Sequence, residues 1–170
     1  WIASGRNDLN PIKYYLKRLE SFSDDGEYLR GGYGPRYRCY NGESRDYEIN
    51  THFSNLPLKN SIDQFRFIED CFKRDIFTRQ AIISVGDPMK DCFGENKMIK
   101  VSKDFPCTRQ LQFMADPINN HLNLTVYMRS NDFIWGATGV NMFNNMLIQE
   151  YFSSILKLDV GYYYHIVSNF

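Results

Sequence analysis

A cysteine set between a proline and polar residues is the first place to look for chemistry in this chain. Phe105-Pro106-Cys107-Thr108-Arg109-Gln110 puts a thiol at the start of a strand-like segment, close to a basic residue. The thiolate is the reactive form of cysteine, and an adjacent cation lowers a thiol's pKa from about 8.5. On these residues alone, an inert buried cysteine is the better-supported reading. Arg79 and the Arg129-Ser130-x-Asp132 cluster suit phosphate recognition, because a guanidinium fork matches phosphate oxygens. Taken singly, each also fits an ordinary surface or salt-bridging role. His165 stands in a strand-like run of tyrosines, where a satisfied core histidine is the simplest account.

Elements must hold these groups. Alternation at Leu122, Leu124, Val126 and Met128 predicts a strand from Leu122 to about Arg129, and a preceding strand runs from Cys107 to about Met114. Asp116-Pro117-Ile118-Asn119-Asn120 connects them. Residues 140–156 give the strongest helix signal, with Phe143, Met146, Leu147, Tyr151 and Ile155 on one side. A last strand follows from Gly161 to Val167. Earlier, Pro11 with Ile12, Tyr15, Leu16 and Leu19 gives a helical stripe, and residues 24–50 read as an extended surface segment. Ser61-Ile62-Asp63-Gln64 has the form of a capping box, followed by Phe65, Ile68, Cys71 and Phe72 at helical spacing with Ile62. Ala81 to Val85 is a strand closed by Gly86-Asp87-Pro88. Strands and helices mix without regular βαβ alternation, which predicts one α+β domain over residues 1–170.

Composition bounds the function. The 170 residues are 43% hydrophobic and 16% aromatic, enough for a globular core. Twenty basic residues balance twenty acidic ones, so no global field favours nucleic acid or a membrane surface, and an anionic ligand needs a local basic cluster. No apolar run approaches the roughly 20 residues of a membrane span, and no signal-peptide pattern is present. Cys39, Cys71, Cys92 and Cys107 lack CxxC spacing, which argues against a disulfide framework and a zinc site. Cys71 reads as core. Reduced, cytoplasmic conditions are expected. Trp1 and Phe170 both interrupt a pattern, so the chain reads as a fragment with both ends incomplete.

The order of the motifs says more than any one of them. An arginine before a hydrophobic strand is followed by Pro-Cys and then by Gln-x-Phe. Arg-Ser-x-Asp, a glycine-led turn into a long helix and His-x-x-Ser-Asn come next. This order resembles the thymidylate synthase family. Trp1-Ile2-Ala3-Ser4-Gly5-Arg6-Asn7-Asp8 is similar to its W-F-L-x-G-x-T-N, and Tyr33-Gly34-Pro35-Arg36-Tyr37-Arg38 to its Y-G-x-x-W-R. Thr78-Arg79-Gln80-Ala81-Ile82-Ile83-Ser84-Val85 is similar to its S-R-R-I-I-V-S-A.

The resemblance implies a mixed sheet packed with helices, one sheet face being used for dimerisation. It also implies that Cys107 adds to C6 of a pyrimidine deoxynucleoside monophosphate, so that C5 takes up the one-carbon unit of 5,10-methylenetetrahydrofolate. Arg129 and Ser130 would hold the nucleotide phosphate, and Arg79 would reach the phosphate in the neighbouring subunit of a homodimer. Asp132 would face the pterin and His165 the sugar hydroxyl, with Gln110 and Asn141 completing the substrate-binding set.

The chain departs from the family pattern at several points. Thr108 replaces a histidine, Gln80 an arginine, Met128 a glutamine and Val167 a tyrosine. Gly136-Ala137-Thr138-Gly139-Val140-Asn141 replaces G-L-P-F-N. Strict counting puts Val140 at the base-reading asparagine, whereas a one-residue insertion restores Asn141. Each lost group is a hydrogen bond to base or sugar, and buried contacts of that kind control substrate choice. Methylation of dUMP to dTMP is the leading expectation. Hydroxymethylation of dCMP or dUMP, or action on another pyrimidine nucleotide, is the alternative. A non-catalytic nucleotide-binding homologue is the competing class.

Overall fold

A computed structural model describes residues 1–40 and 61–170. It divides into two compact units, one formed by Trp1–Gln64 and Val85–Pro106, the other by Phe65–Ser84 and Cys107–Phe170.

The first unit holds three short helices, α1 (Leu9–Ile12), α2 (Tyr33–Arg38) and α4 (Pro88–Asp91), with a 3-10 turn at Lys17–Phe22. The expected stripe from Pro11 to Leu19 is therefore broken into single turns, and Tyr15 stays exposed. Residues 24–27 are exposed and irregular as anticipated, but residues 29–40 turn inward instead of forming an extended surface segment; 41–50 lie outside the described residues. Gly34, Pro35, Arg36 and Tyr37 are buried in α2. The reason is electrostatic. Arg36 forms two hydrogen bonds to the Asp91 carboxylate, at 2.8 and 2.9 Å, and donates to the Val85 carbonyl at 2.8 Å. Arg30 adds a 3.2 Å contact to the same carboxylate. A buried guanidinium is tolerable when so paired, and composition alone does not reveal the pairing. Asp87 caps α4 by accepting from the Met89 amide, with Pro88 at the first turn, as the turn signal implied.

The second unit is built on a four-stranded sheet in the order β1 (Ile82–Ser84), β2 (Thr108–Asp116), β3 (His121–Met128), β4 (Asp159–Val167). The first three strands are antiparallel; β4 runs parallel to β3. Parallel neighbours need a long crossover. Here it is a helical stretch, Phe133–Val140, kinked at Gly139 and leading into α5 (Asn141–Leu156), which ends at Lys157 in the left-handed region. The α+β class expected from the sequence is the class observed.

Leu111 and Phe113 of β2 and Leu122, Leu124, Val126 and Met128 of β3 are buried. Ring contacts carry the core outward from the sheet. Phe113 meets Phe152 of α5 at 4.9 Å, and Phe152 meets Phe65 of α3 (Gln64–Arg74) at 5.1 Å. Phe65, Ile68, Cys71 and Phe72 form the buried stripe of α3, Cys71 included, but Ile62 lies before the helix and is exposed.

The packed face of α5 is a correction. Asn145, Ile148, Gln149, Phe152 and Ser153 are buried, whereas Phe143, Met146, Leu147, Tyr151 and Ile155 are each at least 40% exposed. Gln149 explains the difference. Its side-chain amide donates to the carbonyls of Leu122 (2.8 Å), Tyr162 (3.2 Å) and Gly161 (3.3 Å), so a polar residue seats the helix on the sheet. Apolar periodicity is blind to a stripe anchored in that way.

Candidate active site

Strand ends in the second unit bring the predicted chemistry together. Cys107 immediately precedes β2, Arg129 immediately follows β3, and β2 and β3 are antiparallel, so both residues come to the same end of the sheet. The Arg129 amide donates to the Cys107 carbonyl at 2.9 Å. Because β4 is parallel to β3, its C-terminus reaches that end too. Ser168 N–H donates to the Met128 carbonyl (3.1 Å), and Asn131 N–H donates to the Asn169 carbonyl (3.0 Å). Cys107 is half-buried and in no disulfide; Arg129 is exposed.

Beside these ends lies a chain of polar side chains. His165 Nδ1 is 2.6 Å from the Tyr163 hydroxyl, and His165 Nε2 is 3.0 Å from Asn131 Nδ2. Asn131 Oδ1 accepts from Asn141 Nδ2 at 2.8 Å, and Asn145 Nδ2 donates to the Tyr163 oxygen at 3.3 Å. Asn131 and Asn145 are buried. Burial holds the His165 imidazolium form down, so its pKa lies below the ordinary histidine value. Burial likewise pushes the Tyr163 phenol up, against a smaller opposing effect of the Asn145 hydrogen bond. Gly136 packs against this group. A Cβ there would overlap Asn131 Oδ1 and come within 2.9 Å of Asn141 Nδ2.

Asp132 heads the crossover. Its Oδ1 accepts from the Trp135 amide at 2.6 Å, and the Gly136 and Ala137 amides both reach its carbonyl, at 3.0 and 2.8 Å. The five-residue step to Ala137 is the π-type bond, which takes up one extra residue within a helical run. Of the two residues that the sequence left open, Asn141 is the one whose side chain bonds Asn131. Asp132 itself is exposed and is followed by exposed Phe133, Ile134 and Trp135.

Two expected site residues lie apart from this group. Gln110 pairs with Tyr127 and Ser84, and by strand alternation points to the opposite face from buried Leu111. A register shift between Thr108 and Gln110 sets that phase. Arg79 is exposed ahead of β1, whose Ile82 pairs with Gln112, so it approaches the far end of the strand from Cys107.

A model of thymidylate synthase matches residues 1–170. The chain belongs to the thymidylate synthase family. Among its relatives is the deoxyuridylate hydroxymethyltransferase of Bacillus phage SP01, 34% identical over 99% of this chain and 40% of that protein. The protein of the same name from Pseudomonas phage M6 is 30% identical over the whole chain and 41% of its own length. A third, from Delftia phage PhiW-14, is 26% identical over 96% of the chain and 40% of its length. The chain therefore spans less than half the length of these curated relatives.

Within this member of the thymidylate synthase family, the sequence motifs located Cys107, Arg129, Ser130, Asp132, Asn141 and His165 on elements that converge. They gave no role to Asn131, Tyr163 or Asn145. Tyr163 could have been found from strand alternation, since it lies two residues before His165 and shares its face. Asn131 occupies the variable place in Arg-Ser-x-Asp, and only the fold shows that it touches both His165 and Asn141.

Proposed function

We propose that the protein containing this chain transfers a hydroxymethyl group to C5 of dUMP, using Cys107 as the nucleophile at C6. The observation that carries this reading is the shared sheet end, with Cys107 held against Arg129 beside the His165–Asn131–Asn141 chain. All three relatives are named deoxyuridylate hydroxymethyltransferases, which favours hydroxymethylation over the methylation expected from the sequence.

The residues support the steps as follows. The Cys107 thiolate adds to C6, and the electron pair of the C5–C6 double bond moves toward C5 and the adjacent carbonyl oxygen. Arg129 and Ser130 hold the phosphate. Asn141 meets the base edge and His165 the sugar. Loss of the C5 proton and breakage of the S–C6 bond then restore the ring and return the thiolate. Before that release, the nucleophilic C5 would bond the one-carbon unit that methylenetetrahydrofolate would supply at the oxidation level of formaldehyde; the folate C–N bond would break with tetrahydrofolate as the leaving group, and water would supply the hydroxyl oxygen, so no hydride would be consumed.

The exposed Asp132 carboxylate beside Phe133, Ile134 and Trp135 fits a pterin, which offers N–H donors on a flat apolar ring. A homodimer accords with the uncovered sheet residues Met114, Val160, Tyr162, Tyr164 and Ile166, and with Arg79 placed away from Cys107. The site of action is the cytoplasm.

The deciding experiment uses full-length protein with C5-tritiated dUMP or dCMP and methylenetetrahydrofolate, followed by chromatography of the nucleotide product. Cys107-dependent tritium release from dUMP with 5-hydroxymethyl-dUMP as product is the expected result. Formation of dTMP would return the reading to methylation. No release from either nucleotide would overturn the catalytic reading.

A further inference from the structure

The hydrogen bonds around Asn131 do more than fill its valences, because their directions depend on one another. With Asn141 Nδ2 donating to Asn131 Oδ1, the other end of the Asn131 amide is its NH2, which donates to His165 Nε2. A ring nitrogen that accepts carries no proton. The neutral imidazole must then hold its proton on Nδ1 and donate it to the Tyr163 oxygen, 2.6 Å away. That oxygen also accepts from Asn145 Nδ2. Turning the Asn131 amide over would reverse every member together. Asn141 would have to present its carbonyl, and the His165 proton would move to Nε2.

Space reinforces the coupling. Asn131 is 7% exposed, and its Oδ1 lies where a Cβ on Gly136 would stand, so the amide pair is packed against bare backbone.

We infer that Asn131 is a positioning residue that couples the tautomer of His165 to the amide face of Asn141, and thereby sets whether the site reads a uracil or a cytosine edge. The reason lies in the bases. Uracil offers an N3–H donor beside an O4 acceptor, whereas cytosine offers an N3 acceptor beside an N4 donor. An asparagine amide pairs with both groups of either base, but in opposite orientations. An amide free to turn discriminates poorly; one fixed by Asn131 discriminates well. This inference rests on the proposed role of Asn141 toward the base.

The test uses the full-length protein with Asn131→Ala and Asn131→Asp. The ¹⁵N shifts of His165 report its tautomer without any nucleotide present, and calorimetry with dUMP and dCMP reports discrimination. The wild type is expected to show the proton on Nδ1 and to prefer dUMP. Asn131→Ala is expected to mix the tautomers and reduce the dUMP/dCMP affinity ratio by about tenfold. Asn131→Asp offers acceptors only. It should keep the Asn141 contact and the preference for dUMP while moving the His165 proton to Nε2, a combination that a merely structural role would not give. An unchanged tautomer in both variants overturns the coupling, as does an unchanged affinity ratio in a folded Asn131→Ala. Failure of the wild type to bind either nucleotide would remove the base-reading half of the inference together with the proposed substrate, and the tautomer comparison would still support or overturn the coupling itself.

Discussion

Arg129 and Cys107 are joined through the main chain, the Arg129 amide donating to the Cys107 carbonyl at 2.9 Å. Their backbone spacing is therefore set by the β2–β3 register. A substitution at Cys107 should leave the position of Arg129 unaltered. Cys107→Ala is predicted to lower turnover by about a thousandfold or more while changing nucleotide affinity little. Tritium release and calorimetry on the same preparation test this, and wild-type turnover in the variant would end the nucleophile assignment.

The Arg36–Asp91 pair gives the first unit an acid-sensitive element. Burial alone would raise the Asp91 carboxyl, but the Arg36 hydrogen bonds and charge outweigh it and hold the pKa below the ordinary value. A depressed carboxylate contributes stability that is complete above its unfolded pKa, near 3.8, and is lost as pH falls through the folded value. Asp104 has the opposite sign, since burial raises it and no neighbour fully offsets this. Urea midpoints measured below about pH 5 should fall with pH, and Asp91→Asn should flatten that dependence. Arg36→Met, which removes two hydrogen bonds to the carboxylate and leaves the 3.2 Å Arg30 contact, is predicted to cost about 3 kcal/mol.

His165 acts in a different window. Its pKa is lowered by burial, and its hydrogen-bonding neighbours are Tyr163 and Asn131. The unfolded histidine binds a proton near pH 6.5 before the folded one does, so this contribution to stability is present above that value and fades as pH falls below it. NMR titration of the His165 ring should give a midpoint below that of a model histidine. A midpoint at or above the model value would contradict the buried, neutral assignment.

Gly136 should tolerate no side chain. A methyl there overlaps Asn131 Oδ1, and the Asn141 amide stands on the same side, so neither neighbour can retreat without breaking their 2.8 Å bond. Gly136→Ala is predicted to destabilise the fold by about 1–3 kcal/mol, read from urea denaturation.

These residues also show what the sequence makes legible. β2 and β3 were placed to within a residue or two because Leu122, Leu124, Val126 and Met128 alternate without interruption. The position of α5 was equally plain, but its packed face was not, because Gln149 and Asn145 bind the sheet through polar side chains while apolar residues line the other side. α2 was missed for a related reason: Arg36 is buried only because Asp91, far along the chain, comes to meet it. Motif order could locate Cys107, Arg129 and His165 on strand ends. It could not show that Asn131 bridges two of the expected ligands, since that contact spans residues 131, 141 and 165 and depends on the parallel placement of β4.

The π-type turn after Asp132 has a consequence for how this crossover can change over generations. The run is kinked at Gly139, whose φ and ψ lie outside the helical region, so the length of chain between Asp132 and α5 decides which residue arrives beside Asn131. Removing one residue from Phe133–Val140 would carry the Asn141 amide away from that place. Restoring it would bring the amide back. The placement of the Asn141 amide is thus encoded in chain length, so a single codon gained or lost there can undo its bond to Asn131 in one event, with every residue of the sheet left as it was.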